Sequence, residues 1–182
     1  MQGIEVANGG SYFPEAHRWC LEKGLTMLGN SDVHNPINLD VEFYKGEHRT
    51  MTFVLVNERT LDGIREALNN HRTIVWINDL LVGEEHWLKE LFEKSVRIVD
   101  VKRSKTSCRL VLQNESDLPF YLKKTEHKKE LEYFREFRIE PQSRHTITVY
   151  YPETFQGEGR INFRITNLLV RPDQGMDYSF SF

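Results

Sequence analysis

The residues best placed to do chemistry in this chain are Asp32 and His34, inside the run Gly29-Asn30-Ser31-Asp32-Val33-His34. They follow a short apolar run, Leu25 to Leu28, which reads as a strand. An aspartate and a histidine two residues apart at the C-terminal end of a parallel strand can point into one site, and in α/β barrels catalytic groups collect at that end. A carboxylate oxygen and an imidazole nitrogen suit Zn²⁺, Mn²⁺ or Fe. Gly29 and Ser31 add a tight loop and a spare hydroxyl. The rival reading is a chance tripeptide in a polar loop, because two ligands do not by themselves make a site.

The elements needed to position the pair are legible around it. Gly3-Ile4-Glu5-Val6 is an apolar run stopped by Asn8-Gly9-Gly10, a strand and a turn. Pro14 opens a helix that Gly24 closes, with Ala16, Trp19 and Cys20 expected inward and His17 outward. Strand, helix, strand implies a crossover and a parallel pair. After a polar loop from Asn30 to about Arg49, Thr52 to Val56 reads as a strand. Thr60 caps a helix whose apolar face is Leu61, Ile64, Ala67 and Leu68. Asn78-Asp79 joins two strands in a hairpin, and Glu84 to Lys94 is a helix with Trp87, Leu88, Leu91 and Phe92 inward.

Near Ser95 the pattern changes to period-two alternation. Cys108, Leu110 and Leu112 alternate, as do Leu131, Tyr133, Phe137 and Ile139, then Ile147, Val149 and Tyr151, then Ile161, Phe163 and Ile165, then Tyr178, Phe180 and Phe182. This predicts an immunoglobulin-like antiparallel β-sandwich without the Cys…Trp…Cys spacing of true immunoglobulin domains. The expected division is residues 1–95 as α/β and residues 96–182 as all-β. A net charge of −3 gives no electrostatic case for nucleic acid as the main partner. No apolar stretch approaches a membrane span.

The run GIEVANGGSYFPEAHRWCLEKGLTMLGNSDVH, continued by Lys45-Gly46-Glu47-His48-Arg49-Thr50-Met51-Thr52-Phe53 and Arg59-Thr60-Leu61-Asp62-Gly63-Ile64-Arg65-Glu66-Ala67-Leu68, resembles the end of a PHP (polymerase and histidinol phosphatase) domain. Within that superfamily it is most similar to phosphodiesterases common in Bacteroidetes. The resemblance implies the C-terminal remnant of a distorted (β/α)7 barrel whose site holds two or three metal ions. Asp32 and His34 match the family's final D-x-H. The earlier H-x-H, D-H, Glu and isolated His ligands are expected upstream of Met1, so the chain alone is expected to be incomplete for catalysis. It should need the N-terminal barrel portion, or self-association, to cover exposed faces.

The resemblance further implies phosphodiester or phosphomonoester hydrolysis by metal-activated water. It makes Asn30, Ser31 and Arg49 candidates for contacts to phosphate or to the metal ligands, Arg49 because guanidinium is planar and forked. A surface ion pair with Glu47 is the rival role for Arg49. Exported or periplasmic location is implied by the same resemblance. The competing function is a non-enzymatic interaction module built on the sandwich. A metal-dependent hydrolase of other substrates uses the same ligands.

The remaining residues invite plainer readings. Glu5 could face the site, or be a solvated or hydrogen-bonded strand residue. His48 is read as a loop histidine, and His71, His86, His127 and His145 show no ligand spacing. Lys123-Lys124 and Lys128-Lys129 read as a solvated hairpin tip. Asn114-Glu115-Ser116 fits the glycosylation pattern only as a three-residue match. Cys20 and Cys108 read as buried hydrophobes. Among Phe120, Tyr121, Tyr133, Phe134, Tyr150 and Tyr151, core packing is expected for most, with an exposed strip for sugar or a partner as the other reading.

Overall fold

The computed structural model of the chain describes residues 2–39, 41–126 and 130–182. His127, Lys128 and Lys129 lie outside the described residues, and with them part of the hairpin-tip reading. The chain divides into two compact units, residues 1–88 with 168–174, and residues 89–167 with 175–182. No helix among the described residues is long and apolar enough to cross a membrane.

In the first unit, β1 (Gly3–Asn8) is followed by the short β2 (Ser11–Tyr12), α1 (Pro14–Lys23) and β3 (Thr26–Asn30). β1 and β3 are parallel, as the crossover pattern requires, and β2 folds back antiparallel on β1. Pro14 starts α1 with φ already fixed. Gly24 ends it in the left-handed region, φ 59°, and the Leu25 N–H bonds back to the Cys20 carbonyl at 3.0 Å. The buried stripe of α1 is Ala16, His17 and Cys20. This corrects the expected facing. Trp19 is 45% exposed, with the Lys23 ammonium 5.4 Å from its ring centre, while His17 is fully buried. His17 tolerates burial because the Tyr12 hydroxyl lies 2.7 Å from its Nδ1, and because burial holds its pKa down to about 4, so the ring is neutral.

β4 (Met51–Val54), α2 (Leu61–Asn69), β5 (Thr73–Ile77) and β6 (Leu80–Gly83) complete this unit. β4, β5 and β6 form an antiparallel meander, and Leu168-Leu169 pair parallel to Leu81-Val82. No barrel closes among the described residues. Thr60 caps α2 by accepting from the Gly63 N–H at 3.0 Å. The apolar face of α2 is only partly used: Ala67 is buried, but Leu61 and Ile64 are exposed. The β5–β6 hairpin turns at Asn78-Asp79, with Asn78 at φ 49°, a value asparagine tolerates. The unit's core joins Val6, Ala7, Cys20 and Met27 to Val75, Ile77, Val82 and Leu169.

α3 (Glu85–Ser95) has Leu88 and Phe92 fully buried, while Trp87 and Leu91 are half-buried. In the second unit, β7 (Val96–Arg103), β8 (Ser107–Asn114) and β11 (Arg144–Tyr150) form one antiparallel sheet in the order β11-β8-β7. β9 (Phe120–Lys124) pairs antiparallel with β10 (Glu136–Ile139) and with β12 (Arg160–Arg171), which in turn pairs with β13 (Gln174–Ser181). Inward positions alternate as the sequence implies: Leu110, Leu112, Ile147, Val149, Ile161, Phe163 and Ile165 are all fully buried.

One reading is revised here, and the weak glycosylation match is explained. The run from Leu131 to Ile139 is not one strand. β10 begins only at Glu136, after a segment joined to β11 by a single bridge at Glu132–Tyr150. Asn114 is not an accessible acceptor for a sugar. It is fully buried, donating to the Leu118 and Glu140 carbonyls at 2.7 and 2.9 Å and accepting from the Ser116 N–H at 3.0 Å. Its sequence match therefore reflects a turn lock. Cys20 and Cys108 are free and buried, and burial pushes the Cys20 thiol up to about 11.

Candidate metal site at the strand ends

The site is built from the C-terminal ends of β1 and β3, which lie side by side with Asn8 opposite Asn30. On a regular strand Glu5 and Asn8, three residues apart, would face opposite sides. A register shift between Glu5 and Ala7 changes that parity. The Asn8 amide therefore donates to Glu5 Oε2 at 3.0 Å, and the Asn30 amide donates to Glu5 Oε1. The hydrogen bond from Asn8, with that from Asn30, holds the Glu5 carboxyl below the usual range, so it is a carboxylate whose two oxygens are committed to amides. Glu5 thus ties the last residue of β3 to β1 just before the chain enters the Asp32 loop.

β3 itself is fixed from its other side. A Cβ added at Gly29 would lie 2.3 Å from Val75 Cγ1, so only glycine lets β3 approach β5 this closely. Gly29 thus serves strand packing, where a tight loop was expected. The Thr52 hydroxyl accepts from the Gly29 N–H at 2.8 Å and donates to the Gly29 carbonyl at 2.9 Å. Thr50 donates to the Gly9 carbonyl, and the Thr73 hydroxyl reaches the Met27 carbonyl at 2.8 Å. These threonines had no legible signal beyond their β-branching, since their role depends on which backbone edge lies opposite.

Past Asn30 the chain leaves the sheet. Ser31 Oγ receives the Val33 N–H at 3.4 Å, a local turn contact. Asp32 adopts φ 53°, a left-handed conformation uncommon for residues with a Cβ, and such strain tends to be kept where a side chain must be aimed. Asp32 Oδ1 and His34 Nε2 lie 3.3 Å apart, and both side chains are mostly exposed. That separation is a direct side-chain contact between the two residues, and it also equals the roughly 3.4 Å between two donors bound at about 2.1 Å to one tetrahedral ion. Among the described residues, no group of three or more His, Cys, Asp or Glu that could hold a metal ion comes together.

The other sequence candidates fall outside this cluster. Arg49 is exposed, and no ion pair joins it to Glu47 among the described residues; Glu47 instead accepts from the Glu42 N–H at 3.0 Å. His48 stacks on Trp76 with ring centres 3.5 Å apart. Its two nitrogens face the Arg49 and Asn78 carbonyls at 2.9 and 2.7 Å, so it braces the returning loop against the β5–β6 turn. That loop lines a polar cleft of about 410 Å³ with Lys45, Glu47, His48 and Asn78.

A family model described as an Ig-like domain matches residues 95–181. Over its full length the chain is similar to the C-terminal part of a solved two-domain protein containing a predicted PHP-like metal-dependent phosphoesterase from Bacteroides vulgatus. Identity is 48%, the TM-score is 0.95, and the match covers 100% of this chain and 53% of that one. The chain thus spans about half the length of this relative. No curated protein matches it.

Proposed function

We propose, from its match to the C-terminal part of a PHP-like two-domain protein, that this chain is the corresponding portion of a metal-dependent phosphoesterase. Residues 1–95 carry the last metal-binding loop of the barrel, and residues 96–182 form an Ig-like domain. One observation carries the reading: Asp32 Oδ1 and His34 Nε2 stand 3.3 Å apart at the C-terminal end of a parallel strand. Asp32 and His34 hold a divalent ion, Zn, Mn or Fe. Glu5 keeps Asn30 and the loop entry in place. Ser31, beside the pair, is suited to phosphate oxygens. When bound, the metal lowers the pKa of a water and takes up charge on the phosphoryl oxygens. The other ligands come from the part of the phosphoesterase that this chain, which spans about half the length of the relative, does not cover. They reach the site within one longer polypeptide or as a separate one.

The test uses a protein carrying the whole barrel. Asp32→Asn and His34→Ala should each lower hydrolysis of a chromogenic phosphodiester by roughly 100-fold or more, and should lower bound metal measured by emission spectrometry. The present chain alone should turn over little. Robust turnover by the chain alone would refute its incompleteness. Undiminished metal in both variants would leave the sandwich-based interaction module as the better reading.

A further inference from the structure

The Ig-like unit exposes two aromatic rings that its core does not need. Phe134 is 64% and Tyr150 is 56% exposed. Their neighbours in sequence do fill the core or support it. Tyr133 packs edge-on to Phe163 with centres 5.3 Å apart, carries the Lys124 ammonium 3.8 Å over its ring, and accepts the Asn162 N–H at 3.3 Å. Val149 is fully buried. Alternation along β11 thus turns Val149 inward and Tyr150 outward, while Tyr133 is half-buried and Phe134 is exposed.

The backbone brings the two exposed rings to one cleft. Glu132 and Tyr150 form an antiparallel bridge with both hydrogen bonds made, at 2.9 and 2.8 Å. Two residues on from Glu132 is Phe134, and two back from Tyr150 is Thr148. Glu132 and Tyr150 stand directly opposite and share a face, and Thr148 shares it with Tyr150 along β11; Phe134 reaches the same cleft from the segment after the bridge. They line one open cleft of about 560 Å³, together with Tyr133 and Arg135. Its size lies in the range of small-molecule sites. Among the described residues, neither the Phe134 nor the Tyr150 ring stacks on another aromatic ring, and each is more than half exposed.

We infer that this face binds a pyranose ring of a neutral oligosaccharide. The apolar C–H face of a pyranose matches an exposed aromatic ring in size and in preference for flat contact. Its hydroxyls need both donors and acceptors close to that ring. The cleft offers both: the Glu132 carboxylate accepts, the Arg135 guanidinium donates, and the Thr148 hydroxyl does either. A proline-rich peptide would also stack on such rings. However, consecutive prolines lack N–H groups, so a polyproline run would meet Glu132 with carbonyl oxygens only and leave that carboxylate without a donor. The paired donor and acceptor beside the aromatic face thus favour a polyhydroxyl ligand. This inference rests on the Ig-like unit alone and is independent of the metal site.

The experiment is titration of the full chain, ¹⁵N-labelled, with hexasaccharides of gluco, galacto and manno configuration and with a decaproline peptide, followed by amide chemical shifts. At least one hexasaccharide should shift residues 132–135 and 148–150 in a saturable manner. Phe134→Ala and Tyr150→Ala should each weaken that binding about tenfold or more, with an unchanged melting temperature because both rings are exposed. Phe134→Tyr should retain it. Absence of saturable shifts with every hexasaccharide would overturn the inference. So would binding insensitive to both alanine variants, or decaproline alone shifting these residues.

Discussion

The two units solve the same burial problem with different completeness. The Ig-like unit fully buries a core of large side chains, among them Phe120, Phe163, Leu110, Leu112 and Ile147, although Ile98, Val99, Val101, Phe134 and Tyr150 stay exposed. The first unit leaves Phe13, Trp19, Leu21, Leu61 and Ile64 largely exposed. Two antiparallel sheets can each bury one face against the other and present polar residues outward. A helix laid on a parallel pair buries one stripe, and any further apolar flank needs another layer. The first unit accordingly has a core of smaller side chains, and its strands are tied by the hydroxyls of Thr50, Thr52 and Thr73 to backbone carbonyls.

That contrast can be broken at the sandwich core first. Phe163 meets Tyr133, Phe137 and Phe180 with ring centres 5.3, 5.2 and 6.2 Å away. Phe163→Ala should cost about 4 kcal/mol, measured by urea denaturation with aromatic circular dichroism. A loss under about 1 kcal/mol would mean that this core repacks and is not the self-sufficient half.

The next effect is in the first unit and depends on pH. His17 is buried neutral, with its pKa lowered from 6.5 to about 4 by burial, and among the described residues its Nε2 has no hydrogen-bond partner. Below pH 6.5 the unfolded chain takes up a proton at this position and the folded chain does not. Its contribution is therefore fully present above pH 6.5 and is lost as pH falls towards 4. The loss amounts to about 3 kcal/mol at most. His17→Gln should flatten the melting temperature between pH 6.5 and 4. A wild-type curve already flat across that window would show that His17 is solvated in solution.

The smallest effect sharpens the comparison most. Leu61→Lys and Ile64→Lys on α2 should each change the stability of this chain by less than about 0.5 kcal/mol, because those side chains already face solvent. A larger loss, accompanied by a change in sedimentation coefficient, would show that a second copy covers α2.

Much of this architecture was legible from periodicity and punctuation. Pro14 and Gly24 bracket α1, Thr60 caps α2, and Asn78-Asp79 turns the hairpin, because each acts through its own backbone angles or nearest neighbours. Alternation found most strands of the sandwich. It overlooked β7, whose Ile98, Val99 and Val101 are exposed and interrupted by a register shift, so no clean period-two signal survives. It also misfaced His17 and Trp19, because hydropathy gives no account of the Tyr12 hydroxyl that makes a buried histidine tolerable. In the site, the D-x-H pair stood out by residue type. Glu5 was legible as a residue that could face the site or be hydrogen-bonded, but its bonds to Asn8 and Asn30 were not, because they depend on a shift in register.

By itself the sequence determined the local decisions: where helices start and stop, which residues alternate, and that an aspartate and a histidine follow a strand. Those are set by steric preference and spacing along the chain. Only the tertiary structure decided that Gly29 packs against Val75, that Glu5 bonds both Asn8 and Asn30, and that Phe134 and Tyr150 line one cleft. Each of these joins residues brought together by strand pairing or packing, and such contacts are fixed by register and burial, which no local pattern encodes.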